Sequence, residues 1–168
     1  MRIIGIDPGL QRTGWGIIDV AGSRLIHISH GVIATDAKAA ISVRLLTIFD
    51  GLMDMVSLWQ PGEAAIEETF VNRNPASALK LGLARGAAML APAKAGLSVA
   101  EYPANLVKKS VVGAGHAEKE QVQMMIKVLL PGVEASSDAA DALAVAICHS
   151  HHATTRARLG GIMAGGSR

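Results

Sequence analysis

Three apolar segments fill the start of the chain, Arg2–Asp7, Thr13–Val20 and Arg24–Ala34, with only short stretches between them. Parallel neighbours need a crossover of about a dozen residues or more. Segments this close together therefore pair as antiparallel strands, and the chain begins with a meander. The third segment shows the alternation directly: Leu25, His27, Ser29 and Gly31 fall on one face, and Ile26, Ile28, His30 and Val32 on the other.

After Ala34 the period changes. Ile41, Leu45, Ile48, Phe49, Leu52, Met53, Val56 and Trp59 recur at helical spacing between Ala37 and Gln60, and Pro61-Gly62 ends that helix. "EAAIE", Glu63–Glu67, reads as a buried strand. Pro75 starts a second helix that Pro92 is expected to break. Ser98–Tyr102 is a fifth strand, with Pro103 placed to start a helix. "VVGAGHAEK" is a loop, Glu118–Leu130 a helix, and the last helix runs from an N-cap at Ser136 or Ser137 to about His152. This order predicts an α/β domain over residues 1–152. Its five-stranded mixed sheet has three antiparallel strands followed by parallel crossovers, and helices flank it. Residues 153–168, ending "GGIMAGGSR", are expected to form a disordered tail.

Composition narrows the class. Half of the 168 residues are hydrophobic but only 3% are aromatic, so Ala, Leu, Ile, Val and Met must build the core. The single cysteine, Cys148, excludes an internal disulfide, and Asp7 interrupts the N-terminal apolar run too early for a signal peptide. No apolar run reaches the roughly 18 residues of a membrane span. A cytoplasmic protein without a membrane segment is expected. Charge is segregated along the chain: residues 1–72 carry net −3, residues 73–127 net +5 and residues 128–168 net zero. That division suits a polyanion held by one part and a cation held by another.

The acids point to where the cation would sit. Asp7 closes the first strand against a Pro8-Gly9 turn and Glu67 closes the fourth. Asp138 and Asp141 share a face of the last helix at i, i+3 spacing. If the fourth strand pairs beside the first, Asp7 and Glu67 meet at one end of the sheet. The helix can dock its acidic face there, because Ala139, Ala140, Ala142 and Ala144 permit close approach. Carboxylates gathered in a partly dry site repel one another unless cations lie between them. A hard divalent ion such as Mg²⁺ takes oxygen ligands, and a pair of such ions can serve phosphoryl displacement. Taken singly, each acid is equally well a turn, strand-edge or helix-start residue.

In order, "GIDPGLQRTGWG", "AIEETF", "NPASALKLGLARG", "VVGAGHAEKEQV" and "DAADALAVAICH" resemble the RuvC family of bacterial Holliday junction resolvases, over residues 1 to about 152. The resemblance implies a ribonuclease H-like fold, a homodimer, and two Mg²⁺ ions per active site with Mn²⁺ as a substitute. It implies paired, symmetric nicking of four-way DNA junctions in recombination and repair, leaving 5′-phosphate and 3′-hydroxyl ends. It also implies partnership with a branch-migration helicase complex of the RuvA and RuvB type. By position, Asp7, Glu67, Asp138 and Asp141 match the family's metal ligands, Lys119 its active-site lysine, Lys108 a companion base, and Phe70 the aromatic that works against bases at the junction centre. Glu68 stands where much of the family has Gln. Alternation along the strand turns it away from Glu67.

Further DNA contacts are expected from Asn72, Arg73, Lys80, Arg85 and Lys109, which would position phosphates without reading sequence. Gly82 and Gly86 lie four apart on the second helix beside Leu79 and Leu83. Helix glycines cost up to about 1 kcal/mol each relative to Ala, so close contact with another helix is expected, in a dimer or within the chain. His149, His151 and His152 lack partners spaced for a zinc site, and "GAGH" lacks the ending of a phosphate loop. Two other functions compete: an actin-like ATPase, suggested by "IDPGLQRTGWG" but short of the doubled fold such enzymes need, and a junction-binding module without chemistry.

Overall fold

The computed structural model describes residues 1–68 and 74–164. Its strands are β1 (Arg2–Asp7), β2 (Arg12–Ala21), β3 (Arg24–Ala34), β4 (Glu63–Glu68) and β5 (Val99–Pro103). Its helices are α1 (Ile41–Trp59), α2 (Pro75–Lys94), α3 (Ala104–Val112), α4 (Lys119–Leu129) and α5 (Ser137–Ala164). The sheet order is β3-β2-β1-β4-β5. β1, β2 and β3 pair antiparallel, whereas β4 lies parallel to β1 and β5 parallel to β4. This is the mixed α/β sheet of the ribonuclease H-like fold expected from the sequence.

Two apolar layers hold the helices to the sheet. On one side Ile3, Ile18, Ala65, Val107, Val122, Ile126, Leu143 and Ile147 join the sheet to α3, α4 and α5. On the other, Ile4, Ile6, Ile17, Ile66, Ile48, Leu52 and Ala88 join it to α1 and α2. Alternate residues of β1 and β4 serve opposite layers, which is why both strands read as continuous apolar runs.

Local chemistry sets the ends. Gln60 takes a left-handed conformation (φ 47°) after α1, and the Asn74 side chain caps α2 by accepting from the amides of Ala76 and Ser77. Two expectations change. Pro92 does not break α2, which runs two residues further to Lys94: proline there forfeits one amide bond near the helix end, and the remaining bonds carry the last turn. The last helix does not stop at His152. α5 continues to Ala164, so the expected tail is helical that far. Residues 153–159 contain no Gly or Pro to end it. No helix among the described residues is long and apolar enough to cross a membrane.

Candidate active site

Because β1 and β4 run parallel with Ile6 beside Ile66, the residues that follow, Asp7 and Glu67, end neighbouring strands at the same edge of the sheet. Both point toward the α5 layer, like Ile3 and Ala65 on the same strands. Glu68 has the opposite parity, shared with Ile66 of the other layer, and does not line the acidic cavity. It is turned away from Glu67, as alternation along the strand requires.

α5 reaches these acids because the strands beneath it lack side chains. Gly5 pairs with Gly16, and Asp7 with Gly14, across β1 and β2. A Cβ on Gly14 would lie 2.0 Å from the Asp138 carbonyl oxygen, one on Gly5 2.2 Å from the Ala142 carbonyl oxygen, and one on Gly16 2.6 Å from Leu143 Cδ2. The alanines Ala139, Ala140, Ala142 and Ala144 are buried as expected. The closest approach, however, is made on the strand side, which the alanine pattern of α5 does not reveal. Its signal is Gly-Trp-Gly at positions 14–16, two glycines on one strand face. Below Asp7 the chain turns tightly at Gly9, where a Cβ would meet the Arg12 carbonyl oxygen at 2.3 Å. Buried Thr13 donates to the Gly9 carbonyl at 2.7 Å and fastens this turn.

Asp7, Glu67 and Asp141 line one cavity of about 210 Å³ together with Lys108 from α3 and Lys119 from α4. Burial pushes Asp7 up to about 8, with Glu67, Asp141 and Asp138 adding repulsion that Lys119 partly offsets. Burial likewise lifts Glu67 to about 7; Asp141 adds to this, while Lys108 and Lys119 oppose it. Asp141 is raised by burial against the pull of Lys119, which stands 3.4 Å away. Lys119 in turn is raised, chiefly by Asp141. A cation in the first turn of a helix opposes the helix dipole, so Lys119 holds its place through the acids it faces.

Asp138 sits apart. It does not line the cavity, and the Arg12 side chain at the start of β2 holds it at 2.6 Å. Among the described residues, no three acid, imidazole or thiol groups come close enough to hold one ion between them. The donor set nonetheless fits a hard divalent ion: every candidate ligand is a carboxylate, and Mg²⁺ is bound through one or two carboxylates while keeping several waters. Three desolvated acids with raised proton affinity also lack the charge that would let them ionise together.

The remaining expected residues scatter. Lys80 and Lys109 are exposed on α2 and α3. Arg85 is paired with Glu101 of β5. Phe70, Asn72 and Arg73 lie outside the described residues. Leu79 and Leu83 are exposed on α2, and a Cβ on Gly82 or Gly86 would meet nothing within 4 Å. Packing within the chain therefore does not account for those two glycines. Of the histidines, His149 is committed to structure, hydrogen-bonded to Tyr102 and Glu63.

The chain is similar to known proteins over most of its length. The family model for "Crossover junction endodeoxyribonuclease RuvC" matches residues 3–149. A protein of that description from Paramagnetospirillum magneticum is 61% identical over 160 residues, spanning 95% of this chain and 96% of the relative. Thermus thermophilus RuvC superposes with TM-score 0.82 at 32% identity, covering 92% of this chain and 96% of the other. The same organism's RuvC "in complex with Holliday junction substrate" gives TM-score 0.84 at 33% identity, covering 91% and 94%.

Proposed function

The chain belongs to the RuvC family of crossover junction endodeoxyribonucleases, and from that membership we propose a residue-level account of how it resolves four-way (Holliday) junctions. It is a nuclease, which sets aside the ATPase and the binding module. Each protomer of a homodimer nicks one of two opposed strands, leaving 5′-phosphate and 3′-hydroxyl ends. The observation that carries this reading is the cavity in which Asp7, Glu67 and Asp141 share raised proton affinity beside Lys108 and Lys119.

Asp7, Glu67, Asp141 and, on the rim, Asp138 would hold two Mg²⁺ ions, with Mn²⁺ able to replace them. Such ions supply a nucleophilic water at neutral pH and neutralise charge on the phosphoryl oxygens. The chain's own groups do the rest. Lys119, drawn toward the acids, sets an ammonium beside the place where phosphoryl charge develops, an effect strongest in the transition state. Lys108 reduces the field that the acids present to an approaching polyanion. Lys80 and Lys109, with Phe70, Asn72 and Arg73, extend the DNA surface. Arg85 joins them if Glu101 releases it. Family membership also supports a branch-migration helicase partner of the RuvA and RuvB type, and the cytoplasm as compartment.

The test is cleavage of an end-labelled four-way junction with a mobile core, beside a linear duplex, in Mg²⁺, Mn²⁺ or EDTA. Paired, metal-dependent nicks in the junction alone are expected. Nicking of the duplex at a comparable rate, or nicking in EDTA, would overturn the reading. Within it, Lys119→Met should slow nicking about a hundredfold or more while junction affinity in EDTA stays within about twofold, since without metal the Lys119 ammonium is already paired with Asp141 at 3.4 Å. An equal loss in both would show Lys119 to be a binding residue.

Leu79, Leu83, Gly82 and Gly86 are assigned to the dimer contact. The exposed leucines supply apolar area, and the bare glycine surface admits a second helix closely. Leu83→Asp should convert a dimer to a folded monomer, measured by light scattering after gel filtration. It should also replace paired nicks by single nicks. A dimer that survives this change, together with Leu79→Asp, would place the contact elsewhere.

A further inference from the structure

Arg12 carries a role that the acidic set alone does not suggest. It opens β2 on the face turned toward α5, two residues before Gly14, and donates from Nε to Asp138 Oδ2 at 2.6 Å. The pair lies on the rim of the site, with the Arg12 side chain 54% exposed. Arg2 holds Asp19 through both Nε and Nη2, each at 2.9 Å, whereas Arg85 meets Glu101 through Nη2 alone. Arg12 uses Nε alone, and among the described residues no hydrogen bond engages its Nη1 or Nη2. The outer edge of the guanidinium is thus turned away from its acid and into solvent.

The placement matters for a polyanion. α3 and α4, which supply Lys108 and Lys119, stand on the β4 side of Asp7, where α3 packs on β4 and β5. Arg12 stands on the other side, on β2. A phosphate backbone crossing the strand ends would meet a cation on each flank of the acids. We propose that Arg12 is both a positioning residue and a phosphate contact: Nε fixes the Asp138 carboxylate at the rim, and the free Nη edge takes a phosphate oxygen of the strand to be cut. The inference rests on the junction-nuclease reading above. A guanidinium can do both at once because its donors lie in a rigid planar fork, whereas a lysine ammonium is a single point charge.

The experiment measures binding of a fluorescent four-way junction in EDTA as KCl is varied, for wild type, Arg12→Ala and Arg12→Lys. Nicking kinetics in Mg²⁺ are measured beside it. Position 12 is exposed, so both variants should keep the wild-type melting curve. Arg12→Ala should weaken metal-free binding about fivefold. The slope of log affinity against log salt should shrink by about 0.9 for each phosphate that the variant no longer neutralises. Arg12→Lys should recover the slope and the affinity yet keep a lowered kcat, because one ammonium cannot hold acid and phosphate together. An unchanged slope in Arg12→Ala would overturn the proposal, and full kcat in Arg12→Lys would overturn the positioning half of it. If wild type itself neither binds nor nicks the junction, the functional reading fails first and takes this proposal with it.

Discussion

Replacing Asp7 by Asn should leave a protein that binds a four-way junction and does not cut it, with nicking reduced at least about a thousandfold, or roughly 4 kcal/mol of barrier. The same change should make the metal-free protein more stable at alkaline pH. Asp7 is held near 8 in the folded chain, chiefly by burial and then by Glu67 and Asp141, against about 3.9 when unfolded. Between those values the folded state binds one proton more than the unfolded state, so stability in EDTA falls as pH rises from about 4 and levels off above about 8. Asn has no proton to lose. Its advantage should thus be absent near pH 4 and reach about 3 kcal/mol near pH 8, shared as the charge is with Glu67, which is held near 7 by burial. Divalent ion should restore wild-type stability at that pH and leave Asp7→Asn little changed. Urea denaturation at pH 5 and pH 9, with and without Mg²⁺, measures all of this. A wild type whose metal-free stability rises between those pH values would show that these acids are not the strained group described.

Much of that site was legible because its signal was local. An acid at the end of an apolar strand, followed by Pro-Gly, marks itself in any window of a few residues, and Asp7 does so; Glu67 likewise closes a short apolar strand. Their adjacency followed from topology, since a strand returning after a helical crossover could pair parallel to β1, as β4 does. Asp141 followed from helical spacing. What remained hidden depended on contacts between elements far apart in sequence. Arg12 and Asp138 are 126 positions apart, and nothing near Arg12 distinguishes it from a surface arginine. The i, i+3 pattern placed Asp138 and Asp141 on one face, but it could not show that one turn of helix puts Asp138 against β2 and Asp141 against Lys119. The dimer assignment had a local sign of a different kind. Glycines in a helix need a reason, and the open space above Gly82 and Gly86 removes the intrachain one.

The glycines of the sheet make the opposite prediction, and the larger structural one. At Gly14 a single methyl group would be placed 2.0 Å from the Asp138 carbonyl oxygen and 2.6 Å from its carbon. These are backbone atoms of α5, which no rotamer change can move. The helix must lift or slide instead, and with it go Asp138, Asp141 and the grip of Lys119 on the latter. Overpacking of this kind costs about 1–3 kcal/mol, with the upper end expected where backbone meets backbone. Misplacing a reacting group by about 1 Å can cost a hundredfold in rate. Gly14→Ala is therefore expected to melt several degrees lower and to nick at least about a hundredfold more slowly per folded molecule, while its junction affinity in EDTA stays near that of wild type. Gly62→Ala is the control, since a Cβ there finds its nearest atom at 3.9 Å, and it should melt and cut like wild type. Because Gly14 is buried beneath α5, its loss of rate should come as a fall in kcat with KM little changed, and it should not be recovered by raising Mg²⁺. Wild-type cutting by a folded Gly14→Ala protein would mean that the acids of α5 need not be held at this distance from Asp7 for the reaction to proceed.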